Sequence, residues 1–346
     1  MVGQHFVTLL ENHPWFELQV LAASPRSAGK SYAEAVDGRW AMQQPLSDAV
    51  GSMQVLAVQE DAQKIAEQVQ MVFCALDLDK ESIRAIEDTY ASLGVAVVSN
   101  NSANRWADDV PMIIPEVNPE HLKLIDVQRK SRGWDTGLIV VKPNCSIQSY
   151  VLALTALKQF QPTEVAVTSL QAISGAGKTF ERWPEMVDNV VPYIEGEEEK
   201  SVTEPLKIWG ELVDEQIEKA PSPQISATCI RVPVSDGHMA SVSVNFANKP
   251  SRDDIIEALK SFQPEVYQHN LPSQPAQLFH IFEEPDRPQT KLDRDNERGM
   301  GISIGRLRPD AFFDWDFIAL SHNTLRGAAG GAVLTAELLV ATNYVG

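Results

Sequence analysis

The segment VVKPNCSIQSYVLAL, residues 140–154, places a thiol where it can act as a nucleophile. The spacing predicts a strand ending at Lys142-Pro143, Asn144 as a helix N-cap, and Cys145 in the first helical turn. Unpaired N–H groups and the helix dipole there favour a thiolate, the nucleophile of acyl transfer. The bland reading is a buried structural cysteine, as expected of Cys74 and Cys229 within apolar or alternating runs. A second group is CIRVPVSDGHMASV, residues 229–242. Arg231 and His238 flank a turn at Ser235-Asp236-Gly237, and a hairpin there would bring them to one end of a sheet. A histidine so placed suits general acid/base work near neutral pH. The arginine suits a two-point grip on a carboxylate. Taken alone, a histidine at a turn is more often a surface residue.

The stretch AISGAGKT, residues 172–179, fits a relaxed phosphate-loop pattern. That loop needs a helix beginning at its Lys-Thr. Here KTFERWP reaches Pro184 within two turns, and Trp183 before it is biased away from helical dihedrals. A nucleoside-triphosphatase is therefore disfavoured. Glycines after a strand equally let backbone approach a flat cofactor ring.

These groups need a scaffold. Strand patterns at 17–24, 52–59, 71–76 and 95–100 alternate with helical patterns at 61–69 and 80–94. Such alternation predicts a doubly wound parallel sheet of Rossmann type, with ligands beyond the carboxyl ends of its strands. The tips AASPRSAGKS, CALD and SNNS lie at those ends. After a helix at 146–160, alternating strands at 164–174, 226–234 and 239–247 predict an α+β domain with a mixed or antiparallel sheet. Segments 175–205, 269–300 and 305–316 read as irregular. The expected division is 1–144 plus the C-terminal helix 322–346 for the first domain, and 145–321 for the second. The chain's 346 residues suit two domains. A net charge of −18 disfavours nucleic acid and anionic membranes. Three cysteines without a CxxC pair disfavour a disulfide framework or a zinc site, so no metal is expected. The start carries no signal pattern, and AAGGAVLTAELLVATNYV reads as a buried helix because Thr335 and Glu337 interrupt it. A cytoplasmic protein is expected.

Taken in order along nearly the whole chain, PNCS, LQAISGAGK, EPLKIWG and RVPVSDGH, with AASPRSAGKSY, VPMIIPEVNPEHL, PQTKLDRD, GISIGRLR and SHNTLRGAAGGAVLTAELL, make the chain resemble the aspartate-semialdehyde dehydrogenases of archaea and fungi. The resemblance implies NADPH-dependent reduction of L-aspartyl 4-phosphate to L-aspartate 4-semialdehyde with release of phosphate, a step toward homoserine, threonine and methionine. It implies a cysteine nucleophile at Cys145, an acid/base residue at His238 and a substrate-orienting glutamine at Gln171. Arg231 would grip the substrate carboxylate and Glu204 its amino group. Lys207 and Arg105 would hold phosphate, with Asn144 beside them. For NADP, Ser24, Arg26 and Ser27 match the turn receiving the 2′-phosphate, where arginine is suited. Ala75, Ser174, Gly175, Gly177 and Asn323 match positions near the dinucleotide, and a homodimer or homotetramer is implied.

The family begins with a strand and a loop of the form GATGxVGQ, whereas this chain starts Met1-Val2-Gly3-Gln4, so only Gly3 of that loop is matched. The expectation is a chain lacking its first strand, poorly stable and weak for NADP, since a lost central strand leaves two unpaired edges. Two other readings stand beside the first. One is a related acyl-CoA reductase, such as a malonyl-CoA reductase. The other is a catalytically silent short subunit paired with a longer one.

Overall fold

The computed structural model describes residues Met1–Gly346. Helix Val2–Leu10 buries Phe6, Val7 and Leu10 and packs on the C-terminal helix Ala329–Ala341. That last helix is buried almost all round, as its apolar sequence predicts. Its one carboxylate, Glu337, is satisfied by His13 Nε2 at 2.8 Å and by the Ser273 N–H at 3.0 Å.

Five short strands build the first unit: β1 (Leu21–Ala23), β2 (Val55–Ala57), β3 (Met71–Cys74), β4 (Ala96–Ser99) and β5 (Leu138–Val141). β1 pairs with β2, and β3, β4 and β5 pair in that order, all parallel. Strand direction and the intervening helices are as expected, but continuity is not. β1 and β3 do not pair. A cavity of about 640 Å³ opens between them, lined by apolar side chains that include Phe6, Val20, Leu21, Val72, Phe73 and Tyr90. β5 is buried over its whole length. Each large aliphatic side chain so buried stabilises by about 1.5–3 kcal/mol, which fixes the strand end leading into Cys145.

The second unit carries β6 (Pro162–Gln171), β7 (Glu211–Val213), β8 (Gln216–Glu218), β9 (Gln224–Arg231), β10 (His238–Phe246), β11 (Phe279–Ile281), β12 (Ile302–Pro309) and β13 (Trp315–Ser321). Apart from the β7–β8 hairpin these form one mixed sheet in the order β11-β12-β13-β10-β6-β9. Helices Gln148–Ala156 and Arg252–Ser261 pack on it, and helix Glu197–Ile208 lies against β9. The chain is thus a two-domain α/β fold. No helix is long and apolar enough to cross a membrane.

Three expectations are corrected. Segment 175–205 ends in helix, because Gly196 adopts φ +69° and the three glutamates after it favour a helix N-terminus. Segment 305–316 lies largely in β12, β13 and the loop joining them, not in irregular chain. And β9 does not form a hairpin with β10. β6 lies between them, parallel to β9 and antiparallel to β10. The connection through Ser235-Asp236-Gly237 steps over β6, so Arg231 and His238 flank Gln171 instead of facing each other.

Candidate active site

Three adjacent strand ends converge. Gln171 closes β6 opposite Arg231 of β9, and His238 opens β10 beside them. Into this corner β5 delivers Cys145. The Cys145–Ile147 turn is a 3-10 turn running into helix Gln148–Ala156, with Asn144 as its cap. The Asn144 side chain accepts from the Ser146 N–H at 2.8 Å and the Ser146 hydroxyl at 2.7 Å. Gly327 packs beside the thiol, where a Cβ would lie 2.7 Å from Cys145 Cβ. Cys145 Sγ stands 3.4 Å from His238 Nε2.

The electrostatics differ from the expectation of a lowered thiol. Burial, and next the Glu197 carboxylate, push the Cys145 thiol up to about 12, while Arg105 and Arg231 pull the other way. Desolvation outweighs the dipole of one short turn. Burial, then the neighbouring Arg231 charge, pull His238 down to about 3. His238 is therefore neutral at pH 7 and does not titrate near neutrality as expected. Arg231 donates through Nη1 to the Ala172 carbonyl at 2.7 Å. Its other nitrogens make no hydrogen bond within the chain, leaving donors for a ligand.

The predicted carboxylate and phosphate ligands are placed differently. Glu204 is fully buried. One of its oxygens meets Arg105 Nη1 at 2.9 Å and the other accepts the Asn144 N–H at 2.6 Å. Arg105 also donates to the carbonyls of Lys142 at 2.9 Å and Asn100 at 3.3 Å. Lys207 donates to the carbonyls of Arg105 at 2.7 Å, Val110 at 3.3 Å and Ala107 at 3.4 Å. These three side chains brace the loop behind the cysteine. A buried ammonium with three carbonyl partners has no donor left for phosphate.

Seven residues upstream the same Glu-x-x-Lys spacing recurs at Glu197 and Lys200, a pair that the sequence reading missed. Glu197 accepts from Asn144 Nδ2 at 2.9 Å, Gln171 Nε2 at 3.2 Å and Lys200 Nζ at 2.8 Å. Lys200 is half-buried, with only that one partner. The repeated spacing was the available signal.

Among the residues expected near the nicotinamide, Asn323 ties two loops. Its Oδ1 accepts the Gly237 N–H at 2.8 Å and its Nδ2 donates to the Ser174 hydroxyl at 2.8 Å. Gly175 is bare where a Cβ would lie 2.9 Å from Arg231 Nη1 and 3.0 Å from His238 Nε2. Gly177 adopts φ +68°, which favours glycine. No helix starts at Lys178, against a phosphate loop. Ser24, Arg26 and Ser27 form a turn directly after β1, where the Ser27 N–H bonds the Ser24 carbonyl at 2.9 Å. Arg26 is exposed and free of intrachain partners. Ala75 follows β3 and Gly3 lies in the first turn of the N-terminal helix. An unpartnered arginine and a flat glycine backbone fit a phosphorylated dinucleotide. No cluster of side chains suits a metal ion.

Comparison with known proteins points to one family. The family model described as semialdehyde dehydrogenase, NAD binding domain, matches residues 1–125, and that described as semialdehyde dehydrogenase, dimerisation domain, matches residues 154–326. The aspartate-semialdehyde dehydrogenase of Archaeoglobus fulgidus is 44% identical over 340 residues, covering 98% of this chain and 95% of that protein. Its counterpart in Saccharomyces cerevisiae is 40% identical over 361 residues, covering 99% and 96%. The crystal structure of aspartate-semialdehyde dehydrogenase with NADP from Candida albicans superposes with a TM-score of 0.88 at 36% identity, covering 99% of this chain and 96% of that one. The match spans 95–96% of the relatives' own length, against the expected truncation.

Proposed function

This chain belongs to the aspartate-semialdehyde dehydrogenase family, an NADP-dependent oxidoreductase, and from that premise we propose how its residues divide the work. Cys145 attacks the acyl carbon of L-aspartyl 4-phosphate, forming a thioester as phosphate leaves. NADPH, when bound, supplies the hydride that takes the thioester to the aldehyde level. The chain's own groups orient the substrate. Arg231 grips the α-carboxylate with the donors that it keeps free. Glu197, supported by Asn144 and Gln171, receives the α-ammonium. Lys200, half-buried with one partner, carries a charge to the phosphate. Glu204, Lys207 and Arg105 hold the cysteine loop from behind. Arg26 receives the 2′-phosphate that distinguishes NADP.

The observation that carries this reading is the 3.4 Å approach of Cys145 Sγ to His238 Nε2 at the corner where Gln171 and Arg231 also end. An acyl-CoA reductase would have no use for a phosphate-binding cation beside Glu197, and an intact thiol–imidazole pair disfavours a silent subunit. The dimerisation domain supports assembly of identical subunits, which we take to be a dimer or tetramer. Three free cysteines suit the cytoplasm. The test is phosphate-dependent reduction of NADP with aspartate semialdehyde as substrate. A rate requiring both phosphate and Cys145 supports the proposal. A rate that needs coenzyme A and not phosphate overturns it.

A further inference from the structure

Lys142 follows β5 directly and is 2% exposed. An ammonium offers three donors, yet Nζ makes one hydrogen bond, to Gln148 Oε1 at 3.2 Å. Gln148 Nε2 in turn donates to the Asn144 carbonyl at 3.2 Å, beside the cysteine. The chain entering the last helix backs both side chains. A Cβ on Gly327 would lie 2.7 Å from Cys145 Cβ, and one on Gly331 would lie 2.5 Å from Lys142 Nζ. Among the charges of this corner Lys142 is left over. Arg105 is paired with Glu204 at 2.9 Å and Arg326 with Glu116 at 2.6 Å. Glu116 also accepts from the Tyr267 hydroxyl at 3.4 Å. Lys142 forms no ion pair, and its one partner is an amide oxygen. We propose that its counter-charge is the Cys145 thiolate, and that protonated Lys142 is a further residue of the reaction, stabilising the sulfur anion from inside the fold.

The setting favours an anion. Gly331 stands in the first turn of helix Ala329–Ala341, at the positive end of its dipole. Arg326 Nη2 is buried without a partner. Burial, and next the Arg326 charge, pull Lys142 down to about 7, and Arg105 acts in the same sense. Glu116 and Cys145 raise it. The groups facing Lys142 are thus Arg105 and Glu116 from the segment between β4 and β5, Arg326 from the approach to the last helix, and Cys145. Of these only Cys145 changes charge as the reaction runs. A methionine would fill the same space without the desolvation penalty of an amine.

The inference rests on the proposed function, in which the sulfur anion adds to the acyl carbon and is released again when the aldehyde leaves. Both states carry negative charge at sulfur, and both gain from a cation already in place. No bond forms or breaks at Lys142, and no proton passes from it to substrate. His238 keeps its place at the sulfur, from β10. Lys142 holds its proton below about pH 7 and releases it above. Its help is therefore full in mild acid and is lost as pH rises through neutrality.

Two measurements on the full-length chain test this. Iodoacetamide alkylation of Cys145, with Cys145→Ala as background, should be about tenfold slower at pH 6 in Lys142→Met than in the unsubstituted chain. The two rates should converge above about pH 9, where Lys142 has lost its charge. The melting temperature should hold or rise, because methionine matches the length and is uncharged. Equal alkylation rates at every pH, or a ratio that does not change with pH, overturn the inference. The second measurement does not depend on that variant. In lysine-¹³Cε-labelled protein carrying Cys145→Asp, the lysine titrating nearest neutrality should titrate at higher pH than in the unsubstituted chain, since a lasting anion stands in place of the sulfur. No such movement overturns the inference too. Turnover separates the two claims. Phosphate-dependent activity with equal alkylation rates sinks only this inference, whereas a pH-dependent ratio in a chain without phosphate-dependent activity sinks the functional proposal.

Discussion

Glu204 and Arg105 form an ion pair 2.9 Å long, 99 positions apart in sequence, with the carboxylate fully shielded from solvent. Removing one member of such a pair leaves the other charged and unpaired, which costs about 3–5 kcal/mol. Glu204→Ala is expected to lower the melting temperature markedly and to lose activity through the cysteine loop that Glu204 holds. Differential scanning calorimetry checks it. An unchanged melting temperature would mean that the pair is dispensable.

Glu197→Gln keeps the volume but removes the charge and one of the two acceptor oxygens that Asn144, Lys200 and Gln171 share. A hydrogen bond to a charged group is worth about 1.5–3 kcal/mol. The KM for aspartate semialdehyde is therefore expected to rise roughly tenfold to hundredfold, with the fold intact. The same substitution at Glu204 should instead act on stability. Steady-state kinetics beside thermal melts of both variants would separate the two glutamates, and equal behaviour would refute their division of labour.

Arg231→Lys retains a cation but not the planar fork. Loss of one charge-assisted bond predicts a KM rise of about tenfold or more, on the same scale. Succinate semialdehyde, which lacks the α-ammonium, should still feel this substitution while being indifferent to Glu197→Gln.

Arg26→Ala should weaken NADPH and leave NADH nearly unaffected, because the guanidinium addresses only the 2′-phosphate. Roughly tenfold to hundredfold in KM for NADPH is expected from one lost charged contact. A parallel loss for NADH would place Arg26 elsewhere on the cofactor.

Acid should destabilise the fold through its neutral histidines. Burial lowers His238 to about 3 and, with the charge of His322, His5 to about 4. Between those values and about 6.5, the unfolded chain binds protons that the folded chain refuses. Stability is thus full above pH 6.5 and falls as pH drops, by about 1.4 kcal/mol per unit for each histidine. Urea melts from pH 7 to pH 5 measure the slope. His238→Gln should reduce it, and an unchanged slope would show that His238 titrates normally.

What could be read from the sequence was local. Asn144 and Cys145 at the start of a helix behind a strand need only neighbours in the chain, and the alternation of strand and helix fixed the first domain's class. The same holds for the apolar run around Glu337, which is helical and buried as its pattern predicts. What the tertiary structure decided was which of two equal patterns meets Asn144 and Gln171 beside the cysteine. Glu197-x-x-Lys200 and Glu204-x-x-Lys207 share one helix and one spacing, two turns apart. Nothing local distinguishes them, since Arg105 and the Ala107 and Val110 carbonyls that close around the second pair come from another domain. Likewise the turn after Arg231 has hairpin chemistry. Insertion of β6 between β9 and β10 is settled by non-local pairing and burial, and it is this insertion that sets Gln171 between Arg231 and His238.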